Sequence, residues 1–333
     1  MVKLVNTTDL KSVGLIGLPG SSPGVPTTVF SHSLALRPNA DNIRGPDDII
    51  KIHVASFIWR EMAGSMSELS QLINLDLYPL GDAHWRARTK DQLAQHGCVA
   101  LTDFLRPDAL SALQVEAQSG MQQAYFNPQH HNVYLTAPDD NYAEAHIRNR
   151  HVLSTKGCIT DDQISEQSVL KVLYHSPEFK AALSDILHED ELYPYADSLS
   201  SVNIHYARTG EELGWHFDNS SFAVTLMISP ATAGGAFEFV RDVRNAETGD
   251  MAFDAVDDIV SGKITPSHIS LPAGALLLFR GRNSLHRVTP VSDDSVRQLA
   301  VLAYNQEPGI ALSETAQKTF YGRVGYGRIN APQ

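Results

Sequence analysis

The chain has 333 residues, of which 43% are hydrophobic and 19% charged, values ordinary for a globular protein with a sizeable core. No apolar run approaches the roughly 20 residues that span a bilayer, and a formal charge of -12 with scattered Lys and Arg would repel a polyanion. An α-helical membrane span and a nucleic-acid partner are thereby excluded, and a small-molecule substrate fits better.

The N-terminus, MVKLVNTTDLKSVGLIGLPGSSPG, lacks the continuous apolar segment and small-residue cleavage site of a secretory leader, which predicts a cytoplasmic protein. Cys98 and Cys158 stand far apart, with no Cys or His at zinc-finger spacing, so both read as buried thiols. Residues 1–46 are rich in Gly, Pro, Ser and Asn and read as an extended segment, and 47–75 carries apolar residues at helical spacing. Together, 1–75 form an N-terminal extension. Helices follow at Arg86–His96, Pro107–Gln123 and Ser176–His188, with a strand at CVALTDFL, making 76–192 a mainly helical part.

From Tyr193 the texture changes. SVNIHYAR, FAVTLMIS, GAFEFVRD, ALLLFRG, HRVTPV and RQLAVLAYN are short runs rich in β-branched and aromatic residues, separated by Gly, Asp and Ser turns. The pattern predicts a mainly β protein with flanking helices, its core a jelly roll over 193–310, within a single domain 76–323 followed by a tail, 324–333.

Within that core, GWHFDNSS places His216 and Asp218 two positions apart, so that an extended backbone turns both side chains to one face. His286, in FRGRNSLHRVTPV, is a third candidate ligand on a later strand. Two imidazoles and a carboxylate on one side of a metal leave positions open opposite, the arrangement of non-haem Fe(II) oxygenases. A keto acid such as 2-oxoglutarate fills two open positions and dioxygen one, and its distal carboxylate requires a cation. Arg297, beyond the Ser292 to Ser295 turn, is placed to supply it.

Two other readings account for the same residues. In the first, His216 caps a turn, Asp218 forms an Asx turn with Asn219, His286 is satisfied within the sheet, and Arg297 pairs with Asp293 or Asp294. In the second the metal stays but the chemistry differs, as in a cupin-like isomerase or a zinc site.

The segments LYPYADSLSSVNIHYARTGEELGWHFDNSSFAVTLMI, GRNSLHRVTPV and RQLAVLAYNQEPG resemble the Fe(II)/2-oxoglutarate-dependent oxygenases, and among them the branch of free-amino-acid hydroxylases and radical halogenases. The resemblance, over about 76–323, implies a double-stranded β-helix with His216, Asp218 and His286 on iron and Arg297 on 2-oxoglutarate. The halogenases replace the carboxylate ligand with a small residue that admits chloride. Asp218 stands there in this chain, so hydroxylation, desaturation or ring closure is expected instead. Some members carry Arg-x-Ser at the co-substrate site; this chain reads Arg297-Gln298-Leu299, and a second anchor is unassigned.

Asn203 and His205 alternate along VNIHY and are candidates for contact with co-substrate or substrate, or for satisfying buried backbone groups. Asn219 and Ser220 follow a ligand and are candidates to line a substrate cavity or to form a turn. Trp215 and Phe217 flank His216 and are expected to face away from it. In QHHNVYLTAPDDNYAEAHIRNRHVLSTKG, a stretch read as mostly irregular, His130, His131, His146, Arg148, Arg150, His151 and Lys156 offer cations for a substrate carboxylate or form a solvated loop. Arg280 and Arg282 have the same two readings.

Overall fold

The computed structural model describes residues 68–327. The N-terminal extension up to residue 67 and the last residues of the tail lie outside the described residues.

The helices begin and end where side chains supply caps. After the short α1 (Glu68–Leu72), α2 (Ala83–His96) starts at Asp82, whose carboxylate accepts from the His84 and Trp85 amides, and stops at Gly97 with φ 73°. The Asp82 cap explains why this helix begins before Arg86. The remaining helices are α3 (Pro107–Gly120), α4 (Val169–His175) capped by Ser168, α5 (Pro177–Leu187) capped by Ser176, α6 (Phe253–Val260) and α7 (Glu314–Tyr321) capped by Ser313.

Thirteen strands are seen among the described residues. Five precede the jelly roll: β1 (Cys98–Leu101), β2 (Tyr125–Phe126), β3 (Gln129–Asn132), β4 (His151–Ser154) and β5 (Gly157–Ile159). The stretch read as helical therefore also contributes sheet edges, and the segment read as irregular is flanked by the paired strands β3 and β4. Their short, polar runs of four residues or fewer carry little periodic signal. The core strands are β6 (Val202–Ala207), β7 (Leu213–His216), β8 (Ala223–Ser229), β9 (Phe237–Val240), β10 (Ser267–Ile269), β11 (Leu276–Phe279), β12 (Leu285–Val288) and β13 (Arg297–Leu302).

They form two antiparallel sheets, one in the order β1-β11-β8-β13-β6-β5-β2 and the other β10-β9-β12-β7-β4-β3. Strands β6 to β13 pass repeatedly between the two sheets, so the sheets share one interior: a double-stranded β-helix. The larger sheet is buried on both faces. Val202, Ile204 and Tyr206 of β6, with Val224, Leu226, Leu276, Leu278 and Ala300, face outward against Leu113, Leu173, Phe179 and Leu183 of the helices. Leu213, Ala223, Met227, Phe239, Leu277, Phe279, Val288 and Leu299 fill the interior. Trp215 and Phe217 face the opposite side of the smaller sheet, packed with Val133, Tyr134 and with Val256 and Ile259 of α6. Among the described residues no helix is long and apolar enough to cross a membrane.

Phe239 is fully buried and lies edge-on to Phe279, at 5.4 Å between ring centroids. Phe239→Ala should lower unfolding free energy by about 3–5 kcal/mol, seen as a reduced urea midpoint with an unchanged slope.

Candidate metal and carboxylate site

The site is assembled by strand register. In the β7–β12 ladder His216 and His286 are directly opposed, and His286 is flanked on its other side by Phe239 of β9. Asp218 lies just past β7, where the extended chain is held by two main-chain hydrogen bonds, Phe217 N–H to Val133 O at 2.9 Å and Asp218 N–H to Gly281 O at 3.2 Å. Alternation then turns His216 and Asp218 inward and Trp215 and Phe217 outward.

Both rings are aimed by the same local device. Each Nδ1 lies 2.7 Å from the carbonyl two residues earlier, Gly214 O for His216 and Ser284 O for His286. A carbonyl only accepts, so Nδ1 carries the proton and Nε2 presents its lone pair. Asp218 Oδ1 lies 3.8 Å from His216 Nε2 and 3.5 Å from His286 Nε2, and the three candidate ligand atoms are within 4.8 Å of one another. All three side chains are fully buried.

The electrostatics of this cluster call for a cation. Asp218 has no hydrogen-bond donor on either carboxylate oxygen, and His216 Nε2 has no partner. Burial drives the Asp218 carboxyl well above the usual carboxylate range, partly opposed by Arg244. Burial also lowers His216 to about 3, with His131 adding to the effect, and takes His286 well below the normal histidine range. Two neutral imidazoles and a carboxylate that lacks compensation form a donor set that a divalent metal satisfies, and two nitrogens with one oxygen suit iron or zinc. The residues fit the ion.

Neighbouring groups hold the carboxylate in place. Arg244 lies over the Phe217 ring at 4.2 Å, donates to the Asp218 carbonyl at 3.3 Å, and is anchored on Arg282 O at 2.8 Å. Burial lowers its guanidinium to about 10. Gly281 lies against the carboxylate so closely that a β-carbon there would collide with Asp218 Oδ2. His131 stands edge-on to His216 at 6.2 Å. Its Nε2 is 2.7 Å from Ser154 Oγ, which in turn accepts from Gly214 N–H. Its Nδ1 faces a carbonyl, Asn132 O, so Nε2 is the acceptor, and burial lowers the ring's pKa. His131 is thus a neutral wall of the site, not the cation offered by the sequence reading.

Arg297 opens β13 and is 6% exposed, its Nε without a partner. Burial lowers it to about 10, and among the described residues no carboxylate pairs with it. Asp293, the partner in the alternative reading, is taken by Ser295 and Thr232. An isolated buried cation costs several kcal/mol, so this position calls for an anion. His205 and Arg297 line one cavity together with Lys156, Leu213, Val288 and Leu299. Asn203 and His205 share the inward face of β6. Asn203 donates to Leu199 O and Val202 O and accepts from the Tyr321 hydroxyl, so its amide is largely engaged.

The remaining candidates are distributed differently. The Asn219 side-chain nitrogen is buried and unbonded, and the Asn219 main-chain carbonyl accepts from Arg282 at 2.8 Å; Ser220 beside it is half-buried. Arg150 is paired with Asp257 of α6 at 2.8 Å, and Arg148 donates to Ala137 O beside an outer groove lined by Tyr142, His146 and Phe253. Neither arginine is among the lining of the interior cavities that contain His131, His205 and Arg297. Arg280 is directed to Leu187 O and Glu189, and Arg282 to Glu247. Sequence reading passed over Arg244 and Gly281; the RGR run around Gly281 was the one available signal for the glycine.

The fold and the buried His, Asp and His constellation define a double-stranded β-helix protein with a candidate metal centre. The chain belongs to the halogenase D family, whose sequence model matches residues 82–320. No curated protein matches it. Among solved structures it is similar to an oxidoreductase of the 2OG-Fe(II) oxygenase family from Burkholderia pseudomallei, at 14% identity and TM-score 0.44 over 68% of this chain and 92% of that one. It is also similar to SnoN, a non-heme alpha ketoglutarate dependent epimerase from nogalamycin biosynthesis, at 13% identity and TM-score 0.47 over 67% and 84% of the two chains. A Pseudomonas putida prolyl-4-hydroxylase matches at 14% identity and TM-score 0.41 over 65% and 97%.

Mn(II) or Co(II) should raise the melting temperature of the metal-free wild type, by the linkage of binding to folding, about 2.7 kcal/mol at a hundredfold excess over Kd. Asp218→Asn should melt higher than wild type without metal, because a buried charge is removed, and should respond little to metal. Gly281→Ala should also lose the metal response. Differential scanning calorimetry with and without metal checks all three.

Proposed function

We propose that this protein is an Fe(II)/2-oxoglutarate-dependent oxygenase, its domain spanning 76–323, that removes hydrogen from a small molecule, a free amino acid or a related metabolite. The carrying observation is the convergence of His216, Asp218 and His286, all fully buried, within 4.8 Å of one another. His216 Nε2, His286 Nε2 and one Asp218 oxygen would hold the iron. Bound there with 2-oxoglutarate and dioxygen, the iron would supply the oxidising power to break an unactivated C–H bond.

The chain's own groups do the positioning. The Gly214 and Ser284 carbonyls fix the tautomer and pitch of each imidazole and increase its basicity as a ligand. Asp218 offsets one of the two metal charges, and Arg244 with Gly281 keeps it from turning aside. Arg297 offers an unpaired guanidinium to the distal carboxylate of the co-substrate, with His205 beside it and Asn203 deeper on the same face. Phe279, 5.4 Å from the His286 ring, and Leu299, both on the larger sheet, exclude water from the metal side of the interior. Asn219, whose side-chain nitrogen is buried and unbonded, and Ser220 follow Asp218 and are the candidates for substrate contact.

The retained carboxylate bears on the outcome. With Asp218 as a ligand, the position that a halide would take is filled, which supports hydroxylation, desaturation or ring closure over halogen transfer. The charge of -12 and the enclosed interior support a small substrate.

Anaerobic titration of the Fe(II) protein with 2-oxoglutarate should give a metal-to-ligand charge-transfer band, and succinate release should then rise with one member of an amino-acid panel. Arg297→Ala should weaken 2-oxoglutarate at least about tenfold, from loss of a charged hydrogen bond, and Asp218→Ala should abolish turnover. A wild-type protein that binds Fe(II) without the band is a metal barrel of another kind.

A further inference from the structure

Lys156 occupies a position that the metal site leaves unexplained. It lies between β4 and β5, with Nζ 3.2 Å from His205 Nε2. Neither it nor Arg297 meets a carboxylate among the described residues. An ammonium only donates, so His205 Nε2 accepts and the ring proton is on Nδ1, which is itself buried and unbonded. Burial, with the charges of Lys156 and Arg297 adding to it, holds His205 well below the usual histidine range, in keeping with a neutral ring. Lys156, His205 and Arg297 line one cavity, where the two cations and the His205 Nδ1 proton are donors; Glu212 lines the same cavity but forms no ion pair with either cation among the described residues.

Lys156 also borders two further interior cavities, one with His131 and Ser154 and one with Tyr195, Asn203 and Tyr321. Each of the three is about 20 Å³, room for a single water. Lys156, a flexible four-carbon stem ending in an ammonium, is a wall common to all three. Lys156 borders both the cavity that holds His131, the ring standing against His216, and the cavity that holds Arg297, so it lies between the metal side and the Arg297 side of the interior.

On the co-substrate reading above, we propose that Lys156 is the second anchor of the distal carboxylate of 2-oxoglutarate, turning from His205 onto the acid that Arg297 also grips and thereby selecting a dicarboxylic over a monocarboxylic keto acid. This supplies the partner that Arg297-Gln298-Leu299 lacks. A carboxylate between the two cations would remove the penalty each carries when buried alone, and one entering beside His205 would find its Nδ1 proton as a further donor.

The test is anaerobic titration of the full-length Fe(II) protein with 2-oxoglutarate and with 2-oxovalerate, which keeps the keto-acid head but lacks the distal carboxylate, read by the charge-transfer band. Lys156→Met should weaken 2-oxoglutarate by about 10- to 100-fold and leave 2-oxovalerate nearly unchanged, while Lys156→Arg keeps the wild-type preference. Should the methionine variant fail to melt cooperatively, Lys156→Gln serves as the uncharged arm. A folded uncharged variant that binds 2-oxoglutarate as tightly as wild type, or that weakens toward both acids equally, overturns the role of Lys156 and leaves the oxygenase reading intact. Absence of the band in the wild type overturns the oxygenase reading, and this proposal with it.

Discussion

A carboxylate with no hydrogen-bond donor, sealed in the apolar interior between two sheets, is the constraint on which the rest of this structure depends. Asp218 is fully buried and its nearest polar neighbours are two imidazole nitrogens that offer lone pairs in place of protons. Such an arrangement is costly in a metal-free protein and favourable around a divalent ion. The surrounding structure maintains it from three sides. The Gly281 backbone leaves room, Arg244 grips the main chain behind it, and the β7–β12 register sets the two histidines opposite each other.

The interior is thereby divided into two electrostatic halves. Near the smaller sheet, electron-pair donors converge where a cation belongs. Toward β5, β6 and the start of β13, Lys156, His205 and Arg297 bring proton donors together where an anion belongs. A keto dicarboxylate has the complementary polarity, one end able to chelate a metal and the other an anion. Phe279, Met227 and Leu299, within the apolar cluster between the sheets, raise the strength of both interactions by keeping the dielectric low.

Much of this was legible in the residues, for identifiable reasons. His216 and Asp218 two apart on a strand share a face whatever the rest of the fold does, and the later β runs were long enough and apolar enough to be recognised as strands. The helix at Pro107 began where proline predicted, whereas the one expected at Arg86 began earlier, at the Asp82 cap. Short polar elements escaped: β3, β4 and β10 are too brief for alternation to show, and α6 follows an Ala252 with φ 51°, which no turn signature announces. Arg148 and Arg150 were assigned to the mouth on charge alone. Arg150 is instead paired with Asp257 of α6, a tertiary contact that no local pattern encodes, and Arg148 with the Ala137 carbonyl. His131 was read as a cation because the protonation of a histidine depends on what surrounds it, here a hydroxyl and a carbonyl within a buried wall.

Each metal-facing imidazole is steadied by a main-chain carbonyl two residues back. That tether is internal to a tripeptide, so this part of the aim of each ring is set locally. The reactive centre is in this sense modular: substitutions that reshape the far walls, and with them the choice of molecule admitted, leave the bearings of the two ligands undisturbed. A scaffold built this way can diversify its chemistry by changing what surrounds a fixed point, without having to rebuild the point itself.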